Sequence, residues 1–363
     1  MNFQSKRSPK KLAKHLSLCG LVGGLLVCGS SSVYAGGSEI YFSSSSSNGD
    51  GSVEAAKPVH AANTTMTEII DLGSNSLAPD TGLDTGDEGD GSPETAEAPE
   101  ASTGFTPFFN LGYGSLTTDT GKGEVKSDAW GADLGLAKTL DQSSGKLAFA
   151  PIIDYGKSSF DSYAENGTFL GKGETEYLAG GFMARKTLDN GFYYEGSLRY
   201  GRTQMQFNDM NGAETYDDSA PCWAAHITMG RNLKIGRRNN LHIYGMYHHA
   251  HQDGIDVPDQ GSFDAVDNGR FRVGARITRY NKKRQAFYTG LAYQYEYTGA
   301  ADFNSTWGGK VEGDSNNGSS LMLELGWQVK PMKNSPWMVD VNCTGWVGMQ
   351  RGITATAKLK KAF

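Results

Sequence analysis

Four histidines fall close together, at His242, His248, His249 and His251, and Asp253 follows them. On an extended strand successive side chains alternate between faces. His249 and His251 would then share one face, and His242 and His248 the other. Two imidazoles two residues apart can reach one metal ion, or one can act as general base in a membrane-embedded hydrolase. The competing reading, adopted here, is a strand end emerging into an external loop with histidine as an interface residue. A second set consists of Glu195, Arg199, Arg270, Arg272, Arg276 and Glu324, each in a segment where charged and apolar residues alternate. Charged rings inside a pore can form a selectivity constriction; they can equally satisfy one another by pairing. Neither set amounts to a metal or cofactor site, and no catalytic residue is assigned.

These residues need a scaffold, and the alternation indicates which. From Phe105 onward, segments with period-two patterning are separated by Gly/Asn/Asp/Ser-rich stretches, the signature of strands and turns. Twelve strands are predicted, at 105–117, 126–139, 146–160, 175–187, 191–207, 219–234, 240–252, 269–281, 285–298, 318–330, 336–348 and 352–363. Phe192, Tyr194, Leu198 and Tyr200 share a phase opposite Glu195 and Arg199. Phe271, Val273, Ala275 and Ile277 alternate with Arg270, Arg272 and Arg276, and Leu321, Leu323, Leu325 and Trp327 with Glu324 and Gln328. Three arginines on one face of one strand favour a wet lumen over a solvent-facing sheet. The expected fold is therefore an all-β, antiparallel, twelve-stranded transmembrane barrel whose apolar phase meets lipid. Twelve strands leave a narrow pore, so mutual pairing of the lumen charges is the expectation. By phase Cys222 faces in and Cys343 out, which argues against a disulfide.

Connection lengths point the same way. Short turns are expected near 141–145, 189–190, 235–239, 282–284 and 331–335, and longer polar ones at 118–125, 161–174, 208–218, 253–268 and 299–317. The two sets alternate along the chain, as short periplasmic turns and long external loops do; only the connection near 349–351 is short where a long one is due.

Composition agrees. The 363 residues include 48 glycines and 11% aromatics, with a mean hydropathy of -0.47. After residue 35 no stretch approaches the roughly 18 consecutive apolar residues of a spanning helix, and the net charge of -6 gives no electrostatic case for nucleic acid. Residues 1–35 carry five basic residues, an apolar run from Leu16 to Cys28 and Val33-Tyr34-Ala35, which reads as an export signal cleaved after Ala35. Residues 36–103 hold 13 acids and one lysine; so charged and apolar-poor a segment reads as a disordered linker. Residues 104–363 form the barrel.

The final predicted strand alternates Ile353, Ala355, Ala357 and Leu359 with Thr354, Thr356, Lys358 and Lys360, and closes on Phe363. With Trp130-Gly-Ala-Asp-Leu-Gly-Leu-Ala, Gly191-Phe-Tyr-Tyr-Glu-Gly-Ser-Leu-Arg-Tyr-Gly201 and Gly290-Leu-Ala-Tyr-Gln-Tyr-Glu-Tyr297, residues 104–363 resemble the C-terminal translocator β-barrel of autotransporters, the type V secretion proteins. The resemblance implies a Gram-negative outer membrane, contact with its lipid, and Phe363 as the signal read by the barrel assembly machinery, with periplasmic chaperones as escorts. It further implies a barrel that carries an N-terminal passenger. Here the passenger position holds only 68 residues, too few for a multi-coil solenoid. Gly313-Asp314-Ser315-Asn316 is similar to the nucleophile block of GDSL-type esterases, but it lies between late strands and is read as coincidence. The expected function is anchoring, and possible export, of the short N-terminal segment without bond-making chemistry. The alternatives are a small pore-forming or structural barrel that translocates nothing and, behind it, an outer-membrane hydrolase.

Overall fold

The computed structural model describes residues 104–361, apart from 122, 212–213, 258–260, 282–284, 299–301, 307, 312–316 and 330–335. The leader at 1–35, the acidic segment at 36–103, the 313–316 block and Phe363 all lie outside the described residues. Among the described residues there are sixteen strands: β1 (Thr106–Asp119), β2 (Gly123–Gln142), β3 (Gly145–Ala164), β4 (Phe169–Leu188), β5 (Phe192–Asp209), β6 (Glu214–Lys234), β7 (Asn239–Gln252), β8 (Ile255–Val257), β9 (Gly261–Phe263), β10 (Val266–Tyr280), β11 (Gln285–Thr298), β12 (Phe303–Ser305), β13 (Lys310–Val311), β14 (Asn317–Val329), β15 (Trp337–Gly348) and β16 (Gln350–Lys361).

Twelve of them close into an antiparallel barrel, each beside its sequence neighbour, with β1 pairing β16 from Phe108↔Lys360 to Thr118↔Gln350. Closure removes every sheet edge, the requirement for strands in lipid. Outward residues are apolar. Leu198, Leu291 and Leu323 are each more than half exposed, and exposure of large apolar side chains on every barrel strand is tolerable only against hydrocarbon. Belts of outward aromatics bound this band. Tyr113, Trp130, Tyr200, Trp223, Tyr247 and Tyr297 mark one end, and Phe192, Phe287 and Trp337 the other. The Tyr247 and Tyr297 hydroxyls bond at 2.7 Å, keeping the polar tips of the first belt satisfied. Lys361 interrupts the outward phase of β16 with its ammonium 5.8 Å from the Trp337 ring centroid, snorkelling at the interface.

The strands differ from expectation in length. The stretches 118–125, 161–174 and 208–218 are expected as long loops, yet strand pairing continues through most of each, leaving only three or four residues between the paired strands. The reason is solvent. Beyond the aromatic belt the outward phase becomes polar, with Lys126, Lys172, Glu174 and Gln204, so apolar/polar contrast fades although the ladder persists. The wall is accordingly taller over β2–β6, at 18–21 residues per strand, than over β14–β16, at 12–13. The two longest external connections hold a separate four-stranded sheet in the order β13-β12-β9-β8. At the short connection only Met349 lies between β15 and β16. Gly348 and Gly352 flank it with φ of 128° and 137°, a region nearly closed to other residues.

Several inward glycines are covered by an aromatic ring from a neighbouring strand. A Cβ at Gly326 would lie 2.0 Å from Cζ of Tyr288, whose hydroxyl donates to Asp340 Oδ1 at 2.6 Å. Gly326→Val is expected to push this ring off its bond and cost about 1–3 kcal/mol, the usual penalty for overpacking. The midpoint of urea unfolding in detergent micelles measures it.

Candidate functional site: the barrel interior

The inward phase of the strands carries the polar chemistry, and all six charged residues picked out by alternation project there. Their partners were only partly foreseeable. Arg276 on β10 donates to Glu324 on β14 twice, Nε to Oε2 at 2.8 Å and Nη2 to Oε1 at 2.5 Å, bridging over β11. Asn342 adds a third bond to Glu324 at 2.9 Å. The other four arginine and glutamate positions pair with residues that alternation alone did not single out. Arg199 on β5 reaches over β4 to Asp154 on β3. Glu195 takes Arg185 Nη1 at 3.1 Å. Arg270 is ion-paired with Glu296, Nε to Oε2 at 2.8 Å, and Asn268 donates to the same carboxylate at 3.0 Å. Arg272 gives two hydrogen bonds to Gln294 Oε1, at 3.1 and 2.6 Å, and Gln294 continues to Gln350 on β16 at 3.0 Å. Arg199, Arg270, Arg272 and Glu195 are all less than a tenth exposed. Bidentate pairs and shared acceptors offset much of the cost of burying such charges.

One arrangement has a catalytic outline. Ser197 Oγ lies 2.6 Å from His226 Nδ1, and His226 Nε2 lies 3.2 Å from Glu195 Oε1, the order hydroxyl, imidazole, carboxylate of a nucleophilic triad. Its surroundings are those of a structural network. The Arg199 guanidinium also donates to Ser197 Oγ, and Arg185 already engages Glu195. Neither of two interior cavities, of about 60 and 70 Å³, is lined by Ser197 or His226. Ser197 and His226 sit directly opposite in the β5–β6 register, a pairing that patterning within one strand cannot reveal.

The histidine-rich strand divides as its phase predicts. His242 faces in, 2.7 Å from the Tyr193 hydroxyl, and His248 is buried on the same face. His249 and His251 face out at the level of the aromatic belt, against Trp223 with ring centroids 4.9 and 5.7 Å away. His249 Nε2 lies 3.2 Å from Asp267. His251 directs Nδ1 to Asp267 at 2.9 Å and Nε2 to Asp253 at 3.1 Å. Both ring nitrogens of this imidazole thus face carboxylate oxygens, and neither is turned toward an open position where a metal or a substrate could sit. Among the described residues no group of three or more His, Cys, Asp and Glu side chains is arranged to hold a metal. Cys222 is buried and Cys343 exposed, both as free thiols.

The family model for the autotransporter β-domain matches residues 105–342, well over half of the chain. The chain belongs to the autotransporter β-domain family. Among solved structures, the β-domain of the Bordetella autotransporter BrkA superposes with a TM-score of 0.60 at 15% identity, over 72% of this chain and 100% of that one. The translocator domain of NalP from Neisseria meningitidis gives 0.58 at 12% identity, over 86% and 100%. The transport unit of AIDA-I from Escherichia coli gives 0.58 at 11%, over 85% and 99%. At such identities the likeness is one of fold. No curated protein sequence matches the chain. This autotransporter β-domain is thus a barrel of the bacterial outer membrane, with its apolar belt in contact with lipid.

Proposed function

We propose that this β-domain anchors the acidic segment 36–103 in the outer membrane and carries it to the cell surface, with no bond-making chemistry of its own. The observation that carries this reading is a strip of inner wall without side chains, beside the strand into which that segment leads. Gly112 on β1, Gly131 on β2 and Gly156 on β3 stand directly opposite one another in register, all on the inward phase. Glycine inside a strand weakens it and marks places where another backbone approaches closely. Three in one row, on the first three strands, put no side chain between the wall and a chain lying against it. β1 also starts at the barrel end that carries the short turns, so a segment preceding it must cross the barrel to reach the other side. The barrel assembly machinery, reading Phe363, and periplasmic chaperones complete the proposed set of partners.

An epitope tag inserted near Ser47 tests the reading. Antibody binding and protease clipping on intact cells are expected, with heat-modifiable migration as the folding control. A correctly folded barrel with its tag hidden from both would remove export and leave anchoring alone.

A further inference from the structure

The two longest external connections fold into an amphipathic sheet that has so far been given no role. Its lower face consists of Ile255 and Val257 on β8, Phe263 on β9 and Phe303 on β12, each no more than 3% exposed. They join one apolar cluster with Val125, Phe160, Met205, Phe207, Ala220 and Val266. Those six are inward residues of β2, β3, β5, β6 and β10, at the external end of the tall wall. The Phe263 and Phe303 ring centroids are 4.8 Å apart.

The upper face is polar and ties the two connections together. Asp264 N donates to Asp302 O at 2.9 Å and Asn304 Nδ2 to Asp264 Oδ1 at 2.8 Å. Lys310 pairs with Asp302 at 2.8 Å and Asp264 at 3.4 Å. The strands at the hinge are pinned as well. His251 bonds both Asp253, which leads into the first connection, and Asp267, which follows it, and Asp253 N donates to Pro221 O at 3.0 Å. Directly beneath lies a second apolar layer of Ala129, Tyr177, Ala179, Cys222, Ala224 and Ala250. On the shorter side of the wall the Arg272–Gln294–Gln350 chain spans from β10 to β16.

We propose that this four-stranded sheet is a gate, and that it is the resting barrier to ion conduction through the barrel. An apolar layer across a pore excludes ions by dewetting. The face that must be dry is the one built from phenylalanine and branched aliphatic residues, while the face in water is charged. Anything leaving by the surface mouth must lift the sheet off the tall wall, and the sheet then settles back. The gate is independent of whether the N-terminal segment is exported, because conduction reads the sheet and tag accessibility reads the segment.

The full-length protein in planar lipid bilayers provides the test. The parent chain is expected to conduct at the leak level of the bilayer. Two independent alterations should each raise conductance by about tenfold or more, as expected when an apolar constriction is wetted. One is Phe263→Asp with Phe303→Asp, which places charge in the dry layer; the other replaces 254–265 by a short Gly-Ser turn and removes β8 and β9 altogether. Heat-modifiable migration reports that each barrel is folded. A parent chain that already conducts overturns the proposal. So does a folded loop-shortened chain that stays at the leak level, which would place the barrier lower in the lumen.

Discussion

Replacing Arg199 by methionine is expected to destabilise the folded barrel by about 3–5 kcal/mol, the cost of stranding one member of a buried ion pair. Arg199 is 1% exposed and holds Asp154 across an intervening strand. Asp154 stands opposite Asp133 in the β2–β3 register, and Asp133 is itself buried, with Asn110 Nδ2 donating to it at 3.1 Å. Methionine preserves bulk and removes the charge, leaving two carboxylates facing each other in the interior. The urea midpoint in micelles and the fraction of heat-modifiable protein read the loss. The double variant Arg199→Met with Asp154→Leu should regain most of it, since a buried pair replaced by apolar residues of similar volume is often near neutral. A single variant as stable as the parent would mean that water reaches Asp154 freely, and the interior would then be a hydrated pore at this level.

What could be read from the sequence was what alternation encodes. The twelve barrel strands, the outward phase of β5, β10, β14 and β16, and the opposite faces of Cys222 and Cys343 all follow from a period of two, because a strand buried on neither face or on both would not alternate. The tall extension of β2–β6 was hidden because its outward residues meet water, where Lys126 and Glu174 look like loop residues. The gate was hidden for a different reason. Strands of two or three residues, such as Ile255–Val257 and Phe303–Ser305, carry too little pattern to stand out from a connection.

The interior pairings were the least legible part. Phase puts Arg199 in the lumen but cannot say that Asp154 will meet it, because the choice of partner depends on the register of three strands and on the stagger of the barrel. Arg276 and Glu324 were both visible, and they meet only because β10 and β14 lie two places apart around the ring. The Ser197–His226–Glu195 chain belongs to the same class: each residue has the right phase, and only the register brings them together.

Lipid contact makes its own prediction, and its sign distinguishes hydrocarbon from water. Leu291 projects outward midway along β11, four residues from the interfacial Phe287 on one side and six from Tyr297 of the opposite aromatic belt on the other. It faces Leu323 on β14 in register. Leu291→Arg is expected to cost about 2–4 kcal/mol, the penalty for a guanidinium at the bilayer midplane. Gln204→Arg, outward on β5 and beyond Tyr200 where the native chain already carries Arg202, should cost no more than about 1 kcal/mol, as near the interface. On a surface bathed in water the Leu291 substitution would be neutral or favourable, because it would remove an exposed apolar side chain. Unfolding midpoints measured in lipid vesicles therefore decide between the two environments. Equal effects at 291 and 204 would remove the depth dependence on which the outer-membrane placement of this strand rests.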